Sequence, residues 1–144
     1  MSTAKPNGNL SRFVLDTSAI LTYTGDEPGA ETVGALLTKA SHRQIALYVS
    51  CVSMMEAGYK AFQARGEDGL AEITAYLDQL PVIRVDVTDE LILQAARMKG
   101  TYRLSLADAW ILATARSLRA TLVHKDPEFE PAADAVTLQA LPYR

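Results

Sequence analysis

Arg12-Phe-Val-Leu15-Asp16-Thr-Ser18 decides how this chain is read. A short apolar run runs straight into a carboxylate and two hydroxyls, the residues that open helices. A strand that hands over to a helix without a turn belongs to an alternating strand–helix chain. The same alternation continues outward from it. After Gly25-Asp-Glu-Pro-Gly29, the spacing of Val33, Leu36, Leu37 and Ala40 predicts a helix over 30–40. Gln44 to Ser50 reads as a second strand. Helices are expected over Val52–Arg65, ending at Gly66, and over Leu70–Leu80, ending at Pro81. Val82–Val85 is a third strand, Thr88–Tyr102 and Ser105–Arg119 are helices, Thr121–Val123 is a fourth strand, and Ala135–Thr137 is a short fifth. The pattern implies an α/β fold of three layers, α/β/α, around a central parallel sheet of four to five strands.

With 144 residues, 49% of them hydrophobic, the chain suits one domain with its own core. Residues 1–11 are polar, contain Pro6, Asn7, Gly8 and Asn9, and read as a loose N-terminal tail ahead of a single domain over 12–144. No apolar stretch reaches the roughly 20 residues that a membrane span needs, and the N-terminus lacks a signal-peptide core. The single cysteine, Cys51, excludes an intrachain disulfide. It reads as an inert core residue, which suits a reducing, cytoplasmic setting. The net charge of −3 argues against a protein that coats nucleic acid. It leaves room for a nuclease whose acids are neutralised by metal.

Four acids, Asp16, Glu56, Asp108 and Asp126, lie at strand ends or helix starts. In an open parallel sheet, ligands bind beyond the carboxyl ends of the strands, at the switch in strand order. Carboxylates gathered there without cations repel one another, and Mg²⁺ or Mn²⁺ would suit an all-oxygen donor set. Each acid also has a plainer explanation. Ser53-Met-Met-Glu56 and Ser105-Leu-Ala-Asp108 match the capping-box spacing, so their serines would cap helices. Asp126 sits in His124-Lys-Asp-Pro127, which reads as a turn. Asp16 fits capping least well, since it leaves a central buried strand, where an unpaired carboxylate is costly.

Other polar and aromatic residues carry weaker signals. His124 could be a ligand or a proton shuttle. No second histidine stands at a metal-like spacing from it, His42 falling at the end of a predicted helix, which argues against a zinc site. Trp110, Phe129 and the Met54-Met55 pair read as packing residues, and Arg97, Lys99 and Arg103 as a solvated face or a phosphate-binding rim.

Phe13-Val-Leu-Asp16-Thr-Ser-Ala-Ile20, Ser53-Met-Met-Glu56, Ser105-Leu-Ala-Asp108-Ala-Trp-Ile-Leu-Ala-Thr-Ala115 and Leu122-Val-His-Lys-Asp126-Pro-Glu-Phe129 follow the order and spacing of a PIN domain. The chain resembles that family from about Arg12 to Leu141, and its size resembles a VapC-type toxin. The resemblance implies a metal-dependent ribonuclease. Asp16, Glu56, Asp108 and Asp126 would hold Mg²⁺ or Mn²⁺, with Asp16 and Asp108 as direct ligands. Glu56 would be a ligand or a water-orienting base, and Asp126 would act partly through water. Thr17, Ser18 and His124 would support them. The resemblance also implies an RNA substrate, a homodimer and a VapB-type antitoxin. His124 departs from the family, which often has Thr or Ser there.

Two rival readings remain. Asp16 could be the phosphorylated residue of a phosphatase or phosphotransfer protein, with Lys125 as a receiver-like lysine. But Ser18 stands where haloacid-dehalogenase-like enzymes carry a second Asp, and no acids precede Asp16. The other rival is a degenerate PIN fold used as a binding scaffold, and the presence of all four acids counts against it.

Overall fold

The computed structural model describes residues 9–143. Strand β1 (Arg12–Leu15) is central. β2 (Ala46–Ser50) and β3 (Ile83–Val85) extend the sheet on one side, and β4 (Thr121–His124) and β5 (Leu138–Ala140) on the other. The order is β3-β2-β1-β4-β5, and every pairing is parallel. The chain winds outward from β1 through β2 to β3, then crosses back to β4. The reversal therefore falls beside β1, where a ligand crevice is expected in such sheets.

Helices cover both faces, as a buried parallel sheet requires. Side chains alternate along each strand, so neighbouring residues feed opposite cores. Val14 and Leu122 pack with α4 (Asp89–Thr101), α5 (Leu106–Leu118) and the fully buried Phe129. Leu15, Leu47, Val49 and Val123 pack with α1 (Thr17–Thr24), α2 (Ala30–Ser41) and α3 (Cys51–Gln79). The expected three-layer α/β/α fold is thus present. Among the described residues, no helix is long and apolar enough to cross a membrane.

The two helices expected on either side of Gly66 are present, taken together here as α3 and separated by a kink at Arg65 and Gly66. Gly66 has φ 63° and ψ −150°, a region that L side chains avoid. The break folds α3 back on itself, so that a Cβ on Gly69 would lie 2.5 Å from the Ala61 carbonyl oxygen. β5 falls at Leu138–Ala140 instead of 135–137. Val136 goes into the core, and pairing starts with Leu138 opposite Leu122. Cys51 is half-buried at the start of α3, because β2 ends at Ser50. Met55 is mostly exposed, so of the pair only Met54 packs against the core.

Most of the expected N-terminal tail lies outside the described residues. Its end is docked: Leu10 packs on the core, and the Ser11 carbonyl accepts a hydrogen bond from the Ala46 N–H.

Candidate metal centre at the sheet switch point

Asp16 leaves β1 and caps α1, its Oδ2 accepting from the Ser18 N–H at 3.1 Å. The Ser18 hydroxyl donates to the same oxygen. That hydroxyl in turn accepts from the Lys125 N–H at 2.9 Å, which ties the end of β1 to the end of β4. Asp16 is only 3% exposed, and its Oδ1 has no hydrogen-bond partner among the described residues. Burial raises its pKa from 3.8 to about 6, and the nearby Glu56 charge adds to the rise against the Ser18 hydrogen bonds.

Glu56 does not sit in a capping box. Ser50 caps α3, accepting from the Val52 N–H at 3.1 Å, so Glu56 falls in the second turn. Ser53 is buried within the first turn. Both residues instead face Thr17, whose Oγ1 lies 2.6 Å from Glu56 Oε1 and 2.9 Å from Ser53 Oγ. Thr17 has one proton. It goes to the carboxylate, which leaves the threonine oxygen to accept from Ser53.

Asp108 matches its capping expectation, since Ser105 Oγ accepts from the Asp108 N–H at 3.1 Å. Its pKa is raised to about 7, first by burial and then by the charges of Asp16, Asp126 and Glu56. The other three acids expected from the sequence therefore all act on the Asp108 carboxyl group. Asp126 caps the short 3-10 helix Pro127–Ala132, its Oδ1 accepting from the Glu128 N–H at 2.9 Å.

The tightest grouping differs from the expected quartet. Oxygens of Asp108, Asp126 and Glu128 lie within 4.8 Å of one another, whereas Asp16 and Glu56 stand outside that triad. Glu128 is missing from the sequence reading. Its signal was Asp126-Pro-Glu128, two acids flanking a proline just past a strand end, which turn chemistry already accounted for.

His124 is fully buried, and its Nδ1 accepts from the Asp126 N–H at 3.1 Å. Burial lowers its pKa, partly offset by that hydrogen bond and by the Asp126 and Glu130 charges. Nδ1 is engaged by that bond, and Nε2 is buried with no hydrogen-bond partner among the described residues. Lys125 Nζ reaches Glu27 at 3.3 Å and the Pro28 carbonyl at 3.4 Å, which disfavours a receiver-like role beside Asp16. Thr17 and Ser18 spend their protons on Glu56 and Asp16, so they orient carboxylates directly. Arg97, Lys99 and Arg103 are all exposed.

Residues 13–135 match the PIN domain. The chain belongs to the PIN-domain family. No curated protein matches this PIN domain in sequence. Its fold is similar to that of VapBC2 from Rickettsia felis bound to a promoter DNA fragment. The TM-score is 0.72 at 13% identity, covering 91% of this chain and 99% of that one. It is also similar to VapBC-1 from nontypeable Haemophilus influenzae, with TM-score 0.69 at 23% identity, covering 90% of this chain and 97% of that one. A third similar structure is VapC20 of Mycobacterium tuberculosis, a toxin that cleaves the Sarcin–Ricin loop. Its TM-score is 0.68 at 17% identity, covering 90% of this chain and 99% of that one. At these identities the likeness is one of fold.

The donor set of this PIN domain fits a hard divalent cation. It is all carboxylate oxygen, and Asp16, whose charge acts on Asp108, carries a further buried oxygen without a partner among the described residues.

Proposed function

We propose that this PIN domain is a Mg²⁺- or Mn²⁺-dependent ribonuclease, the toxin of a VapBC-type pair. The observation that carries the reading is Asp16, buried at the switch point with one carboxylate oxygen left unpartnered. A fold gains nothing from such an oxygen, whereas a cation would satisfy it. Asp16, Glu56, Asp108 and Asp126 would hold the ion, and Glu128 joins them as a further donor beside Asp108 and Asp126.

A bound divalent ion supplies a nucleophilic water at neutral pH and stabilises charge developing on the phosphate. The chain's own residues prepare that chemistry. Thr17 fixes Glu56 in one direction, so that its free oxygen can orient the attacking water or accept its proton. Ser18 saturates Oδ2 of Asp16 and leaves Oδ1 for the ion. Burial keeps bulk water away from Asp16, where charge–charge contacts are strongest.

RNA as substrate, a VapB-type antitoxin as inhibitor, a homodimer as the working form and a reducing cytoplasm as the setting are part of the same proposal. Family membership and the VapBC neighbours support it. The test is cleavage of a mixed RNA pool by protein freed of any antitoxin, with Mn²⁺ and with EDTA. Cleavage that needs Mn²⁺ and disappears in Asp108→Asn is expected. Absence of cleavage by clean protein, or full activity in Asp108→Asn, would overturn the reading.

A further inference from the structure

His124 stands where the family often has Thr or Ser, yet its hydrogen bond is of a familiar kind. Nδ1 accepts the N–H of the residue two positions on, Asp126, at 3.1 Å. Asn, Asp, Ser and Thr close turns with this same i to i+2 bond. Along the side chain, histidine Nδ1 occupies the position of asparagine Oδ1, third atom out from Cα. His124 therefore acts as an Asx-turn residue with an aromatic body. The body is used too: the ring packs edge-on against Phe129 at 5.2 Å between centroids and lies 6.3 Å from Tyr143.

The next residue in the chain makes this bond important. Pro127 has no N–H, so Asp126 carries the last backbone donor before the 3-10 helix. Asp126 is also the candidate ligand that lies past a strand end in a connecting turn, where backbone is least constrained. Its two fastenings are local: His124 accepts its N–H, and its carboxylate accepts from the Glu128 N–H at 2.9 Å. Removing the first frees the backbone and leaves a partly buried donor without a partner.

We propose that His124 is a positioning residue, which holds the Asp126 backbone so that its carboxylate stays grouped with Asp108 and Glu128. The function rests on the proposed metal reading, but the geometry can be tested without metal. An acceptor Nδ1 requires the ring proton on Nε2.

Nitrogen NMR of the wild-type imidazole decides this directly. The Nε2–H tautomer is expected, and the Nδ1–H tautomer would overturn the proposal. Two substitutions then separate acceptor from volume. His124→Asn keeps the acceptor and loses the ring, whereas His124→Phe keeps a ring and loses the acceptor. In EDTA, the Asp126 amide should exchange slowly in wild type and in His124→Asn, and quickly in His124→Phe. Calorimetric titration with Mn²⁺ should show His124→Phe weakened about tenfold and His124→Asn close to wild type.

Phe129→Leu serves as control, expected to lose stability without losing Mn²⁺ affinity. Equal Mn²⁺ affinity in wild type and His124→Phe would overturn the positioning role. So would affinity losses that track stability across all three variants. A wild type that binds no Mn²⁺ would sink the metal reading, and amide exchange would still decide whether His124 orders Asp126. If His124→Phe does not fold, the tautomer measurement and His124→Asn remain decisive.

Discussion

Replacing Asp16 with Asn should stabilise the protein in EDTA while removing its response to metal. The wild-type carboxyl is raised from 3.8 to about 6, chiefly by burial. At about 1.4 kcal/mol per pKa unit, ionising it in the folded state costs about 3 kcal/mol relative to the unfolded chain. Proton counts set the sign. Between about pH 4 and 6 the unfolded chain has released this proton and the folded chain has kept it. Stability from this group is therefore greatest in acid, falls as pH rises through that window and is flat above it. Asp108, raised to about 7, extends the decline in the same direction.

Asparagine removes the charge but keeps an oxygen for the Ser18 hydrogen bonds. Its amide N–H₂ would take the place of Oδ1, where no partner exists among the described residues. That costs about 1–2 kcal/mol. The net gain should be about 1–2 kcal/mol at pH 7.5, a rise in Tm of about 3–8 °C for a domain of this size. Urea unfolding in EDTA at pH 5 and pH 7.5 measures it, and Asp16→Asn should show the flatter pH dependence. With Mn²⁺ added, wild type should gain stability by mass action and the variant should not. An Asp16→Asn protein that is less stable than wild type by more than about 1 kcal/mol at pH 7.5 in EDTA would refute the reasoning, as would pH-independent wild-type stability over this range.

Thr17→Val keeps the shape and removes the hydroxyl bound to Glu56 at 2.6 Å. Mn²⁺ affinity, read by calorimetric titration, should fall by about tenfold, and because the buried Ser53 hydroxyl also loses its acceptor, urea unfolding should show a loss of about 1–2 kcal/mol. Gly69→Ala places a Cβ 2.5 Å from the Ala61 carbonyl oxygen and should cost about 1–3 kcal/mol in urea unfolding. Arg119 ends α5 at φ 53°, where glycine is unstrained. Arg119→Gly should stabilise by about 0.5–1 kcal/mol in the same assay.

The strand–helix alternation was legible because each buried strand is a short apolar run and each helix after it opens on a capping residue. Where two residues could do the same local task, sequence could not choose. Ser50 and Ser53 both precede plausible helix starts. The choice of Ser50 depends on where β2 leaves the sheet, and Ser53 is claimed by Thr17, 36 positions away in sequence. Glu128 was hidden for a related reason. Its local turn is satisfied without a ligand, and only the fold brings it against Asp108. β5 was misplaced because Val136 and Thr137 have strand propensity, whereas register against β4 sets the ladder.

Capping and metal binding compete as explanations of these acids only while each carboxylate is treated as a single group. A helix cap needs one acceptor oxygen, and Ser, Thr or Asn can supply it without charge. Asp16 gives Oδ2 to both Ser18 bonds, so the cap is complete with Oδ1 still free. Asp126 gives Oδ1 to Glu128 in the same way. The capping bonds fix the direction of each carboxylate, and an aimed second oxygen is what a cation site requires. Capping therefore accounts for where these residues sit, but not for the charge they carry there. At Asp16 that charge is held at a cost of about 3 kcal/mol. A neutral cap would have served the fold better, and the oxygen that capping leaves unused is the one the proposed cation would take.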